Sequence, residues 1–432
     1  MLFTNIAIMN EDYSVTFDNH VVVEGTQIKY VGQARPEGTF DREYCGKGKL
    51  LMPGFYNAHA HSPMTLMRGY GENMTLNDWL NKRIFPFEDK LCGNDAYAGT
   101  MLSIAESLSN GIVSTSDMYF FCDDIVRATN DAGSKVNVSR ALTSFDENED
   151  VANMKSYLES KKLFSDFHNT SDGKIKVDMS LHAEYTSTPK LVKALANMAG
   201  ENNAPVHVHI SETKSEHEEC KARRDGRTPT KYLSDLGLFE QGGLAAHCVW
   251  IEEEDAEILK EKNVSIASCP VSNLKLASGV MNAPMILGKG VNVALGTDSV
   301  ASNNNLSILE EIKLFAIISK GIHLDPTLVS PQMALNAATR AGAVAQGRQD
   351  CGYIKEGYKA DLIVLDLASP AMNPIHDIEN NVVYSASNKD VIMTMIDGRV
   401  LYEDGEYKTI DIEKVVFEAN SATKRILGEL NE

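Results

Sequence analysis

Through the middle of the chain, from about residue 54 to 355, short apolar and β-branched runs alternate with longer stretches of helical period. The runs Phe55–His59, Gly111–Ser116, Lys135–Arg140, Lys176–His182, Pro205–Ile210, Gly243–Cys248, Val264–Cys269 and Val291–Thr297 predict eight strands. Helical patterns lie between them, including residues 96–110 and 252–262. The latter opens on Glu252-Glu253-Glu254-Asp255, an acidic first turn suited to the positive end of a helix dipole. Eight strand–helix units over ~300 residues match the size and rhythm of a (β/α)₈ barrel.

The two ends read differently. Val21-Val22-Val23, Glu24-Gly25 and Ile28 to Val31 predict a hairpin. Towards the other end, Asp361 to Leu365 predicts a strand, and Val391–Ile396, Asp397-Gly398 and Arg399–Tyr402 predict a hairpin on an Asp-Gly turn. No Gly/Pro/Ser-rich linker separates these β-rich ends from the middle. The expected fold class is therefore α/β. A TIM-type (β/α)₈ barrel spans residues 54–355, and a small discontinuous β-sandwich domain is built from residues 1–53 and 356–432.

In such a barrel, functional side chains stand at the C-terminal ends of strands. His59 and His61 fall at the end of the first expected strand; being two apart in extended chain, they face one side. His182 ends the fourth, His209 the fifth, His247 the sixth and Asp298 the eighth. Any one of these would be unremarked in a core or a loop, but six at strand ends point to a site. His59, His61, His209 and Asp298 offer three nitrogens and one oxygen, a donor set suited to one Zn²⁺, with Fe²⁺ or Mn²⁺ as alternatives. A metal there would lower the pKa of a bound water from about 15.7 to about 7. Asp298 could both touch the metal and accept the water proton. Glu212, three residues past His209, could carry a proton between water and substrate, although the same position also suits a helix first-turn charge. His247 could hydrogen-bond a developing oxyanion.

His207, two residues before His209 on the same face, is expected deeper in the barrel as a buried histidine. Lys174 and Lys176 lie before or at the start of the fourth strand, where a lysine bridging two metals is not available, so a single metal is expected. His20, His168, His217, His323 and His376 fit no part of the pattern and are expected on surfaces or loops.

Composition narrows the partners. The 432 residues carry 41 basic and 60 acidic side chains, a net charge of −19, which argues against nucleic acid and anionic membranes. Seven scattered cysteines without a C-x-x-C pair fit a reducing compartment. No leader is visible at Met1-Leu2-Phe3-Thr4 and no run of eighteen apolar residues occurs, so a cytoplasmic enzyme is expected, with a homo-oligomer left open.

Pro53-Gly54-Phe55-x-Asn57-x-His59-x-His61, His209-x-x-Glu212, His247 and Gly296-Thr297-Asp298 resemble, in order and spacing, the mononuclear deaminase branch of the amidohydrolase superfamily. The likeness continues to Gly357-x-x-Ala360-Asp361-Leu362. It is strongest to the methylthioadenosine/S-adenosylhomocysteine deaminases, which group with triazine chlorohydrolases and guanine deaminases. The resemblance implies that His59, His61, His209 and Asp298 bind metal, that Glu212 protonates a ring nitrogen, and that His247 and Asp298 handle the attacking water. It also places Glu88 on ribose hydroxyls, His182 on the nucleoside, and Trp79 and Arg140 with the substrate. The implied reaction is hydrolytic deamination of adenosine-type nucleosides (methylthioadenosine, adenosine, 5′-deoxyadenosine) to the inosine analogue and ammonia. Another heterocycle such as guanine, a triazine or a pterin is the alternative substrate, and a non-catalytic scaffold the alternative of another class. Arg140 matches one arginine that holds the homocysteine carboxylate in this group. The loop Asp146-Glu147-Asn148-Glu149-Asp150 supplies four acids and no second arginine, so S-adenosylhomocysteine is expected to be the poorer substrate.

Overall fold

The computed structural model describes residues 1–431, and of residues 76 and 77 the main chain alone. Its centre is a parallel barrel whose strands follow one another in chain order: Phe55–Ala60, Ile112–Tyr119, Lys135–Leu142, Ile175–Val177 with Met179–Leu181, Val206–Ile210, Gly243–His247, Val264–Ser268 and Val293–Leu295. The ring closes between the first and eighth strands. Asp298 N donates to His59 O (2.9 Å), beside an Ala60–Asp298 bridge. The Asn57 amide spans the same seam, donating to Thr297 Oγ1 (2.8 Å) and accepting from Thr297 N (3.0 Å). A Cβ on Gly296 would lie 2.8 Å from His59 N, so the close approach needs glycine.

Among the strand boundaries that differ from expectation, three bear on the site. The fourth strand is interrupted at Asp178, whose carboxylate accepts from Asn137 Nδ2 at 3.2 and 3.1 Å. The eighth is shortened to Val293–Leu295, leaving Asp298 beyond its end and carried by the seam instead. The third runs on to Leu142, so Arg140 lies within it rather than at its end.

The two chain ends share one nine-stranded sheet because Leu362–Asp366 pairs antiparallel with Lys49–Pro53. The Asp397-Gly398 turn has φ of 47° and 75°, the left-handed values that a two-residue hairpin of this twist requires. Phe3, Ile6, Val21, Ile28, Leu51 and Met393 gather into a core of the sheet's own. Leu50, Met52, Ile363 and Leu365 on the other face join the barrel core. The chain's last segment departs from the β-rich expectation. Ile412–Leu430 is a helix whose buried Val415, Ala419, Ala422 and Ile426 recur at helical spacing. It docks on the barrel helix Gly93–Ser109, where Arg425 pairs with Asp95. Two histidines expected outside are buried: His20 in the sheet, and His217 against Ser211 (3.0 Å) and Glu252 (3.3 Å).

Lys135 fastens sheet to barrel. Its ammonium, almost wholly buried, reaches Asp361 at 2.7 and 2.6 Å and Asp397 at 2.8 Å, while Tyr56 OH donates to Asp361 at 2.9 Å. Asp361→Ala would strand a buried cation with half its partners, so thermal or urea unfolding should show a loss of about 3–5 kcal/mol. A loss below about 1 kcal/mol, the scale of an exposed pair, would show that the triad is not a fastener.

Candidate active site

Three imidazoles converge at the barrel mouth because each has its Nδ1 tied off behind it. His59 Nδ1 meets His207 Nε2 at 2.9 Å, His61 Nδ1 donates to Met118 O at 2.5 Å, and His209 Nδ1 donates to His182 O at 2.7 Å. The two carbonyl acceptors require Nδ1–H on His61 and His209, which turns their Nε2 atoms towards the cluster, and the contact with His207 turns His59 Nε2 the same way. One ring nitrogen from each lies within 4.8 Å of the others, and the same holds for the set His59, His247 and Asp298. His207 is therefore a buried histidine with a task, orienting His59.

Asp298 Oδ1 is 3.6 Å from His59 Nε2 and 3.3 Å from His61 Nε2. Its other oxygen, Oδ2, accepts from Ser272 Oγ (2.5 Å) and Ser302 Oγ (3.1 Å), which turns Oδ1 towards the imidazoles. The residues fit a divalent cation. His59 Nε2 is buried without a hydrogen-bond partner, and burial drives His59 down to about 4 and His209 well below the ordinary imidazole range. Burial would lower His61 as well, but Asp298 and the Met118 carbonyl carry it up to about 9. The carboxylate thus favours a positive charge beside it, which His61 carries here and which a bound metal would supply.

Glu212 and His247 flank this cluster. Glu212 is not in the first turn of the following helix. It precedes that helix's N-cap, Thr213, in a turn with Ser211 at φ 48°. Glu216 is the first-turn acid, and its two oxygens accept from Ser211 N and Glu212 N, both at 2.8 Å, fixing how Glu212 is presented. Burial raises Glu212 above its ordinary pKa, and Ser278 Oγ donates to it at 3.3 Å. His247, in left-handed conformation at φ 71°, donates Nδ1 to Asn273 Oδ1 (2.9 Å) and places Nε2 3.9 Å from Glu212 Oε2. Sequence reasoning gave Ser272, Asn273, Ser302 and Glu216 no role in the site. Their signal was short polar stretches just past the seventh and eighth strands and the fifth, with no ligand-type spacing of their own.

Above the cluster opens a cavity of about 790 Å³. Trp79 and Glu88 reach it from residues 76–88, two short α segments joined by a wide π turn at Leu80–Ile84. Glu88 accepts from Tyr119 OH at 2.7 Å, a partner the sequence did not suggest. Its pKa is raised to about 7 by burial, against the lowering effect of that hydroxyl. His182 lines the cavity with Nδ1 3.0 Å from Thr186 Oγ1, and burial lowers it to about 4, so it is neutral near pH 7. Arg140 reaches the far end. Every expected site residue therefore meets this one cavity or its floor.

A parallel eight-stranded barrel whose strand ends gather imidazoles and a carboxylate under a cavity is the architecture of a metal-dependent barrel hydrolase. The chain belongs to the amidohydrolase family, whose model matches residues 50–401. It is 38% identical over 430 residues, 99% of each chain, to a protein of Thermoanaerobacter pseudethanolicus named 5-methylthioadenosine/S-adenosylhomocysteine deaminase. It is also 38% identical over 398 residues, 91% of this chain and 93% of the other, to a 5′-deoxyadenosine deaminase of Methanocaldococcus jannaschii. The fold superposes with a TM-score of 0.92 and 30% identity on an adenosine deaminase from Xanthomonas campestris solved with zinc, covering 99% of this chain and 98% of that one. Among the described residues no helix is long and apolar enough to cross a membrane.

Proposed function

We propose that this protein deaminates adenosine-type nucleosides hydrolytically, with methylthioadenosine, adenosine and 5′-deoxyadenosine as substrates. The observation that carries the reading is the grouping of Glu212, His247 and Asp298 around three convergent imidazoles at the floor of a cavity whose wall carries Glu88. His59, His61, His209 and Asp298 would hold a single divalent ion, zinc by the donor set. When bound, that ion supplies the Lewis acidity that makes water nucleophilic near neutral pH.

The chain's own groups do the rest. Asp298 takes the proton of the attacking water. Glu212, whose pKa is raised by burial, gives a proton to N1 of the purine as oxygen adds at C6. His247 Nε2 hydrogen-bonds the oxygen as charge develops, its ring held by Asn273. Asp298 then passes the proton it took to the amino group, the C6–N bond breaks as ammonia leaves, and the C6 hydroxyl returns its proton to the Glu212 carboxylate as the carbonyl forms. His182 meets a purine nitrogen, Trp79 closes the cavity wall, and the Glu88 carboxylate accepts the two ribose hydroxyls.

An ammonia-release screen of the zinc-loaded protein over purine nucleosides, free purines, pterins and triazines tests this reading. Turnover confined to triazines, pterins or guanine would sink it. A pH profile tests Glu88 separately. As pH falls below about 7 the carboxyl becomes protonated and stops accepting both hydroxyls, so KM for ribonucleosides should rise by about tenfold per unit. Glu88→Gln should have a high KM and no such slope; an unchanged slope in that variant would remove Glu88 from ribose binding.

A further inference from the structure

The far end of the cavity, away from the imidazoles, is formed by the third strand, the start of helix Cys122–Ala132 and one face of helix Lys155–Phe167. Its apolar surface comes from Phe120, Phe121, Phe145 and Leu163. Its cations are Arg140, Lys155 and Lys162, and they are matched by the carboxylates of Asp123, Asp124 and Glu159. Lys155 and Lys162 are rim residues, their side chains 90% and 64% exposed, so Arg140, at 17%, is the one inward cation of this end.

Arg140 is already engaged. Its Nε donates to Glu159 Oε2 at 2.8 Å, its Nη1 donates to the Ala141 carbonyl at 2.7 Å, and its guanidinium lies 5.0 Å over the Phe120 ring. Glu159 Oε1 also draws Lys155 to 3.6 Å. A ligand carboxylate arriving here would meet an arginine with its charge compensated and one edge occupied. It would also lie beside Glu159, a like charge that disfavours it. A methylthio group, a hydroxyl or a hydrogen needs no such partner and rests on the aromatic wall, where sulfur is favoured.

We infer that Glu159 is a specificity determinant. By holding Arg140 it tunes this end for adenosine nucleosides with a small uncharged 5′ substituent and against those ending in a free carboxylate. Discrimination here comes from a repulsive element as much as from an attractive one. The inference rests on the deaminase reading above and adds the residue that sets the substrate class.

The test is kcat/KM for methylthioadenosine and for S-adenosylhomocysteine on the zinc-loaded wild type, Glu159→Gln and Glu159→Ala. Wild type should prefer methylthioadenosine, and both variants should raise the S-adenosylhomocysteine-to-methylthioadenosine ratio by about tenfold or more, as expected when a like charge beside the ligand carboxylate is removed. An unchanged ratio would overturn the role of Glu159. A falling ratio would overturn it too, by showing that Arg140 and Glu159 together grip the zwitterion. Failure of the wild type to release ammonia from any adenosine nucleoside would remove the deaminase reading itself, and this role with it.

Discussion

Glu212→Gln is expected to cut nucleoside deamination by ~10²–10⁴-fold, the range lost with a positioned proton donor, while metal content stays at the wild-type level. The glutamine side chain keeps the shape of the acid and can still accept from Ser278, so the turn held by Glu216 should survive. It cannot release a proton to the ring nitrogen. Ammonia release read alongside elemental analysis separates the two effects. Turnover within about threefold of wild type would take Glu212 out of the proton path. A parallel loss of metal would instead mean that Glu212 shapes the metal site.

Asp298→Ala should be at least as damaging and should differ in kind. Loss of the proton acceptor alone accounts for ~10²–10⁴-fold in turnover. Loss of the carboxylate between His59 and His61 should also empty the metal site on dialysis. Ser272→Ala gives the graded control. It removes one of the two hydroxyls on Asp298 Oδ2, leaves Oδ1 in place, and should cost about 10–100-fold in metal affinity or activity. Full metal occupancy in Asp298→Ala would contradict its place in the ligand set. An effect of Ser272→Ala as large as that of Asp298→Ala would mean the serine does more than orient.

The local part of this site was legible early because the chemistry coincides with a backbone period. His59 and His61 are two apart on a strand, and a strand of that period can only turn both to one side. His209 and His247 likewise close strands that their apolar neighbours mark out. Glu212 was less clear, since a carboxylate before a charged helix reads equally as a first-turn charge. The structure distinguishes it by giving that duty to Glu216. The helix at Ile412–Leu430 was hidden by the β-rich segment before it, although its buried positions repeat at helical spacing.

What the sequence determined by itself was the alternation of strands and helices, the barrel it builds, and the ligand-type residues at the strand ends. All of these depend on side chains a few positions apart, where periodicity carries the information. Only the tertiary structure decided which distant residues meet. The seam sets Asp298 against His59, Asn273 aims His247, Tyr119 holds Glu88, and Glu159 occupies Arg140. Those pairings bring together residues between 19 and 240 positions apart, counting the Asn57–Thr297 bonds of the seam, and they follow from ring closure and hydrogen-bond satisfaction in a buried mouth rather than from any local pattern.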